Sequence, residues 1–275
     1  MIPIYYINLD TRKDREKFMR QQFEEIELHA ERVPAISSED IEAIRANWKI
    51  FPEHMSMAEV ACTLSHVKAW ESLLMSGAPA ALILEDDAVL SPDLSRLLSW
   101  ELYERYFPSI IKFETFRKTI RMGSSKLISK KYSMGRLLSN HEGTAAYIIE
   151  RNYAKKCIEL SKINIDIADT FLFQNSQSKI KNTKIFQLTP APCIQVTRLS
   201  HFGETSLIES DIATARDNRR AAGVGKSVFI PGRSTNPWNR RISLLQYYFL
   251  DPLAAFYPKI EVPFSEDTEN QAPST

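Results

Sequence analysis

Three adjacent acidic residues follow an apolar run of strand length. The run covers residues 80–84, and Glu85, Asp86 and Asp87 come directly after it. This pattern predicts a buried central strand that delivers carboxylates to the edge of a sheet, where open α/β sheets bind ligands. Because clustered carboxylates repel one another and lose hydration on burial, the triplet favours a bound cation, with Mg²⁺ or Mn²⁺ the simplest candidates. The alternative is a strand end followed by a solvated acidic turn.

A second candidate site lies at the start of the chain, where a strand, a turn and a helix are predicted to follow one another. Residues 2–9 are apolar and β-rich, and the junction after them carries Asn8, Asp10, Arg12 and Arg15. A helix N-terminus favours anions and arginine adds paired donors, so this junction suits an anionic ligand. The same charges are also common on solvent-exposed first turns.

The elements that must position these residues are predicted from hydrophobic periodicity. Residues 57–76 have apolar side chains at helical spacing and end at Gly77, which predicts a helix that carries Ser65, His66 and Lys68. A histidine in such a helix is either a packed, hydrogen-bonded core group or a ligand. Further helices are predicted at 91–102 and 151–160, and strands at 32–36, 109–113, 145–149 and 185–196.

Basic residues are concentrated in two segments, although the formal net charge of the 275-residue chain is only +1. Residues 112–136 hold eight lysines and arginines against Glu114 alone, which suits either a solvated hairpin or the binding of a phosphorylated acceptor. Residues 216–257 are first basic and then aromatic, as in a segment that lies on an anionic membrane surface or packs on the domain. Residues 265–275 are polar and predict a disordered tail.

Composition restricts the function classes. A hydrophobic fraction of 44% and a charged fraction of 25% are ordinary for a globular protein, and the near-neutral balance gives no support to nucleic-acid binding. Cys62, Cys157 and Cys193 have no metal-ligand spacing and fit the reduced thiols of a cytosolic protein. The N-terminal segment lacks a basic leader, and no run is long enough to span a bilayer, so neither a signal peptide nor a membrane span is expected.

Several short motifs occur in the order found in one known family. They are Asn8, Asp10, Arg12, Asp14 and Arg15; Glu59, Cys62, Ser65, His66 and Trp70; Glu85, Asp86 and Asp87; Gly143, Thr144, Ala146 and Tyr147; and Asp166 with Asp169. In these motifs the chain resembles glycosyltransferase family 25, which contains bacterial lipooligosaccharide galactosyltransferases and collagen galactosyltransferases. It departs from the family pattern at Ala58 and Ala61, where glycine is frequent, and at Glu85, which replaces the first aspartate of Asp-x-Asp.

The resemblance implies a GT-A-like fold, an α/β Rossmann-type mixed sheet flanked by helices, over residues 1–200. The composition predicts a basic and aromatic extension over 201–264. The resemblance further implies an inverting enzyme that moves a hexose, galactose from UDP-galactose, to a sugar hydroxyl of the lipopolysaccharide or lipooligosaccharide core. Without a signal peptide, the bacterial branch is favoured over the secretory collagen branch. The expected location is then the bacterial cytoplasm, at the inner face of the inner membrane.

The resemblance also implies roles for individual residues. Glu85 and Asp87 become the expected ligands of Mn²⁺ or Mg²⁺, while Asp86 either holds the donor ribose or supports the turn. The remaining expected donor contacts are Asn8, Asp10, Arg12, Arg15, Ser65, His66 and Lys68. Transfer needs a carboxylate that accepts the proton of the acceptor hydroxyl. The candidates are Asp169, its partner Asp166, which on a helical turn would share its face, and Glu142.

Two other function classes are compatible with the sequence. A non-catalytic sugar-nucleotide or glycan-binding protein could keep the fold, but binding alone would not need two intact acidic motifs. A hydrolase that uses paired carboxylates would consume the donor without any acceptor.

Overall fold

The computed structural model is an α/β fold in which helices pack on both faces of a mixed sheet. It describes residues 1–45, 52, 55–139, 141–163, 165–173, 183–199 and 257–269. The strands are β1 Ile4–Asn8, β2 Glu31–Pro34, β3 Ala80–Glu85, β4 Ala88–Leu90, β5 Ile110–Lys112, β6 Glu114–Thr115, β7 Thr119–Arg121, β8 Lys126–Leu127, β9 Ser133–Arg136, β10 Ala146–Glu150, β11 Ile185–Thr189, β12 Cys193–Gln195 and β13 Lys259–Glu261. The helices are α1 Lys13–Glu25, α2 Ser38–Arg45, α3 Met57–Ser76, α4 Arg151–Ser161, α5 Ala168–Phe173 and α6 Ser265–Glu269.

The main sheet has eight strands in the order β2-β1-β3-β10-β5-β11-β9-β8. Strands β2, β1 and β3 are parallel, β10 runs antiparallel between β3 and β5, and β11 is parallel to β5. A smaller sheet, β4-β12-β6, lies beyond the end of β3, and β13 pairs with β7. The carboxyl ends of β1 and β3 therefore meet at one edge, with Ile7 opposite Glu85.

Strand β3 is buried on both faces, as its apolar run predicts. Ala81 and Ile83 belong to the core cluster under α3 and α4, whereas Leu82 and Leu84 belong to the cluster under α1. Burial of both faces explains why the strand lacks polar and apolar alternation. The prediction of a central strand that ends in carboxylates is confirmed.

Helix α3 has the predicted bounds, and its two ends explain why. Ser56 and Glu59 form a capping box at the start, and Gly77 takes a left-handed conformation with φ of 76° at the end. A capping box satisfies free amide groups of the first turn, and glycine adopts positive φ without a steric penalty. The helix therefore holds its site residues at fixed positions against β3 and β10.

The segment predicted as a helix over 91–102 is instead a series of short 3₁₀ turns. They cover Pro92–Leu97, Trp100–Leu102 and Glu104–Tyr106. Leu94 and Leu97 are buried at a spacing of three, which matches a 3₁₀ repeat as well as an α-helical face. The apolar pattern therefore could not distinguish the two conformations.

The C-terminal predictions fall partly on the described residues. Residues 201–256, which include most of the basic and aromatic extension, lie outside them. The described part of the extension packs on the domain through β13, Val262 and the buried Phe264. Residues 265–269, predicted as the start of a disordered tail, form α6 instead, where Asp267 pairs with Arg117 at 3.0 Å. Within the described ranges, no helix is long and apolar enough to cross a membrane.

Candidate active site

The turn after β3 is fixed to the start of the chain through Asp86. Its Oδ2 accepts a hydrogen bond of 2.8 Å from Asn8 Nδ2, and its Oδ1 lies 2.8 Å from Arg15 Nη1. Burial raises the pKa of Asp86, and the Arg15 guanidinium acts in the opposite direction. Both carboxylate oxygens are thus used within the protein, which matches the expectation that Asp86 supports the turn.

The charged residues around Asn8 form the rim of this junction. Arg32 donates to Asn8 Oδ1 at 2.9 Å and to Asp10 Oδ1 at 2.5 Å, and Arg12 pairs with the exposed Asp14. The junction is therefore held together by side chains from β1, β2 and α1. Donor contacts by Asn8, Asp10, Arg12 and Arg15 stay a prediction.

Glu85 ends β3 and receives hydrogen bonds from two other elements. Its Oε1 lies 3.2 Å from Nε2 of His66 on α3, and the Thr144 hydroxyl donates to the same oxygen. Burial acts to raise the pKa of Glu85, but these hydrogen bonds outweigh it, so the pKa lies below its ordinary value. Glu85 is therefore an oriented carboxylate at the sheet edge.

Asp87 is buried beside this carboxylate with weaker support. Among the described residues, its nearest side-chain hydrogen-bond donor is Gln195 Nε2, at 3.4 Å. Burial and the negative charge of Glu85 raise the pKa of Asp87 to about 7, although Arg15 acts against the rise. Glu85 is half-buried and Asp87 is buried, and the two negative charges repel each other. Two adjacent carboxylates of this kind fit a hard divalent cation, which prefers oxygen ligands. Residues Glu85 and Asp87 therefore suit the predicted Mn²⁺ or Mg²⁺.

A loop before β10 joins the acidic turn to α5. Thr144 holds Glu85, and the preceding Gly143 directs its amide toward Asp169 Oδ2 at 3.4 Å. Gly143 has φ of +86°, and a Cβ there would lie 1.9 Å from the Phe116 ring. Only glycine fits this backbone position. The loop thus brings the predicted metal-binding and base-forming carboxylates to one place.

A buried ion pair supports this loop from below. Lys112 Nζ lies 2.8 Å from Glu114 Oε1 and also donates to the carbonyl oxygens of Glu142 and Gly143. Burial lowers the pKa of Lys112 and raises that of Glu114 to about 7, while each charge opposes the shift of the other. The prediction that Lys112 belongs to a solvated hairpin or to an acceptor-binding loop was wrong. Lys112 is fully buried, and its ammonium group donates to three oxygen atoms of the protein.

The three candidate bases have different surroundings. Asp169 lies in the first turn of α5, whereas Asp166 precedes the helix and its Oδ1 accepts from the Ile167 amide at 2.8 Å. The two do not share a helical turn, because the helix begins at Ala168. Glu142 pairs at 2.5 Å with Lys118 on the surface. Asp169 is linked to Glu85 through the neighbouring residues Gly143 and Thr144.

Ser65 and Lys68 make contacts with the segment after β2. Ser65 Oγ accepts from the Ile36 amide at 2.8 Å and donates to the Ala61 carbonyl, and Lys68 Nζ lies 2.5 Å from the Pro34 carbonyl. These bonds fasten α3 to the parallel edge of the sheet. The donor contacts predicted for Ser65 and Lys68 stay a prediction.

Some residues of the site escaped the sequence analysis as functional candidates. Thr144 and Tyr147 belong to a family motif but had no assigned role. Lys112 and Glu114 lay in the basic segment assigned to a hairpin or an acceptor site, and Gln195 had no assignment. The motif was the available signal for the first two. No sequence pattern predicts that Lys112, Glu114 and Gln195 lie at this site. Only the pairing of β5, β6 and β12 with other strands brings them there.

A comparison with protein families identifies the family of this chain. Residues 1–172 match the profile of glycosyltransferase family 25, described as an LPS biosynthesis protein. The chain belongs to glycosyltransferase family 25. The matched region includes the acidic turn, α3, the loop around Gly143 and Asp169, whereas Gln195 lies beyond it.

Individual relatives are distant. The chain is 29% identical over 177 residues to the lacto-N-neotetraose biosynthesis glycosyltransferase LgtE of Neisseria meningitidis, which covers 60% of this chain and 63% of LgtE. It is 28% identical to LgtE of Neisseria gonorrhoeae, over 72% and 73% of the two chains. A glycosyltransferase 25 family member of Aedes aegypti is 27% identical, over 70% of this chain and 35% of its own. The alignment thus spans less than two thirds of the first and third relatives.

Proposed function

We propose that the chain is an inverting glycosyltransferase of GT-A-like fold that moves a hexose, galactose from UDP-galactose, to a sugar hydroxyl of a bacterial lipopolysaccharide or lipooligosaccharide core. One observation carries the proposal. Glu85 at the end of β3 and Asp169 at the start of α5 bond to adjacent residues of one loop, Thr144 and Gly143. The same short loop thereby holds Glu85, the proposed donor-binding carboxylate, and Asp169, the proposed proton acceptor.

The diphosphate end of the donor belongs at the acidic turn. Glu85 and Asp87 would hold a divalent cation there, because a cation relieves the repulsion between their two negative charges. When bound, Mn²⁺ or Mg²⁺ stabilises negative charge on the diphosphate. Arg15 pairs with Asp86 inside the same turn, and Arg12 pairs with Asp14 in the first turn of α1. Both guanidinium groups add positive charge at this junction. Ser65 and Lys68 extend the expected donor contacts along α3, and His66 on the same helix contacts Glu85.

Asp169 is the proposed general base. The acceptor oxygen bonds to the anomeric carbon from the face opposite UDP, and the bond from that carbon to the diphosphate oxygen breaks. The hydroxyl proton passes to the Asp169 carboxylate, and the electron pair of the broken bond leaves with UDP. Attack from the opposite face inverts the anomeric configuration.

The function can be tested by incubating the full chain with a lipooligosaccharide acceptor and a panel of UDP-hexoses. We expect the acceptor to gain the mass of one hexose, with UDP-galactose the best donor, and NMR of the product to show inversion. Consumption of the donor without any gain in acceptor mass would establish a hydrolase. Binding of donor or glycan without turnover would establish a binding protein.

The cation requirement has its own test. Calorimetry should show that the affinity for UDP falls when the metal is chelated and also in Asp87→Asn, while the exposed control Glu101→Gln leaves it unchanged. Equal affinity in metal-free and metal-loaded protein would contradict a role for Glu85 and Asp87 as ligands.

The proposed location is the bacterial cytoplasm at the inner face of the inner membrane. Residues 216–257 are basic and aromatic, which suits contact with anionic lipid. Such contact would bring the enzyme to an acceptor that is anchored in lipid.

A further inference from the structure

A chain of buried hydrogen bonds runs from the interior of α3 to the acidic turn. Trp70 Nε1 lies 2.8 Å from the Tyr147 hydroxyl oxygen, and that oxygen lies 2.9 Å from His66 Nδ1. His66 Nε2 in turn lies 3.2 Å from Glu85 Oε1. Trp70 and Tyr147 are fully buried and His66 is 1% exposed, so water does not compete for these bonds.

Counting protons along this chain fixes the direction of every bond. The indole of Trp70 can only donate, so the Tyr147 oxygen accepts from it. Tyr147 then has one proton to place, and within the described structure its other hydrogen-bond partner is His66 Nδ1. If Tyr147 donates to Nδ1, the imidazole carries its proton on Nε2 and donates to Glu85. Every polar group in the chain is then satisfied.

The direction of these bonds determines which oxygen of Glu85 faces a ligand. The His66 ring and the Thr144 hydroxyl both donate to Oε1. An oxygen that accepts two hydrogen bonds has its lone pairs occupied, so Oε2 is the oxygen left to meet a ligand.

We propose that Trp70, Tyr147 and His66 are positioning residues that hold a neutral Nε2–H imidazole and thereby aim Glu85 Oε2 at the donor site. This inference rests on the proposed function only in the role of Glu85. It gives His66 the role of a support for the carboxylate rather than that of a donor contact. Buried groups that orient a ligand-bearing side chain commonly contribute about 10–100-fold to affinity or activity.

A transition metal on the same histidine is the competing use of this cluster. The ligand atoms of Cys62, His66 and Glu85 lie within 4.8 Å of one another. Coordination through Nε2 would move the ring proton to Nδ1, where it would point at Tyr147. The Tyr147 oxygen would then receive two donors, and its own buried proton would lose its acceptor, which costs free energy. The hydrogen-bond chain therefore fits the surroundings of His66 better than a metal does.

The tautomer can be measured directly by imidazole ¹⁵N NMR on the full chain, which has five histidines. The His66 signals, assigned by their loss in His66→Gln, should show protonated Nε2 and unprotonated Nδ1 at neutral pH. In Tyr147→Phe the preference should weaken. Protonated Nδ1 in the wild type would overturn the inference, as would stoichiometric Zn²⁺ binding that shifts the His66 ring and is abolished by Cys62→Ala.

Turnover gives the second arm of the test. Tyr147→Phe should lower transfer by about 10–100-fold. The matched control is Tyr103→Phe, which also removes a buried hydroxyl, one that donates to the Leu97 carbonyl at 2.9 Å in the other core cluster, and it should leave transfer unchanged. Equal losses in both variants would indicate a packing role alone. If no donor supports transfer, the proposed function fails, whereas the NMR result still decides the tautomer.

Discussion

Asp169 is the residue to which we assign the role of general base. It faces the Gly143 amide, one residue from the threonine that holds Glu85. We expect Asp169→Asn to keep donor binding near normal and to lower transfer by about 10²–10⁴-fold, because the amide cannot accept the acceptor proton. Calorimetry and initial rates measure the two effects separately. Turnover near that of the wild type would move the role to Asp166 or Glu142.

The buried Glu114 should make the stability of the protein depend on pH. Burial raises its pKa to about 7 in the folded chain from an ordinary value of 4.5. The folded state therefore holds the proton more tightly, and this group lowers stability as pH rises from about 4.5 to about 7. In Glu114→Gln this group no longer titrates. The free energy of unfolding should therefore fall less between about pH 4.5 and pH 7 than in the wild type, by on the order of 1–3 kcal/mol.

Urea unfolding at about pH 5 and about pH 8 measures this difference. The exposed Glu104→Gln is the control and should keep the pH dependence of the wild type. The same pH dependence in Glu114→Gln as in the wild type would show that Glu114 does not titrate in this range.

Individual residues were predictable where a motif or a strand end marked them. Glu85, Asp86 and Asp87 follow a buried run, and their place in the fold agrees with that pattern. The pairing of Lys112 with Glu114 and with a loop 30 residues later was not predictable. From its residue type alone, Lys112 was predicted to be exposed. A lysine is buried only when it has partners, and the tertiary structure supplies them.

At the scale of elements, the loop around Gly143 has no room for an added methyl group. Gly143→Ala meets both a positive φ and the Phe116 ring, so we expect a loss of stability together with a loss of transfer. Gly77→Ala is the matched control, since its φ is also positive but nothing lies within 4 Å of the added Cβ. It should cost about 1 kcal/mol and leave turnover unchanged.

Thermal unfolding and initial rates of the two variants provide the comparison. A Gly143→Ala protein that turns over as fast as Gly77→Ala would show that the loop does not position Glu85 and Asp169.

Elements with strong local signals were predicted well. Helix α3 has a capping box, helical apolar spacing and a terminal glycine, and its predicted bounds are confirmed. The 3₁₀ turns over Pro92–Leu97 and the short helix α6 were missed. Their patterns are ambiguous or polar, and contacts such as the Asp267 pair with Arg117 decide their conformation.

At the scale of the whole molecule, the basic and aromatic residues 216–257 bear on where the protein works. Each well-placed basic residue is worth about 1 kcal/mol on an anionic surface. The full chain should sediment with phosphatidylserine vesicles at low salt and be released as salt rises. Replacing Arg219, Arg220, Arg240 and Arg241 by glutamine should weaken this binding, whereas the exposed Arg96→Gln should not. Failure to sediment at low salt would leave these residues a role in packing or assembly.

The most direct measurement is the mass of the lipopolysaccharide core from a bacterial strain that lacks this chain. We predict a core that ends before one specific hexose, with restoration by the wild-type chain and none by Asp87→Asn. A core of unchanged mass, or full restoration by Asp87→Asn, would contradict transfer of a hexose at the acidic turn after β3.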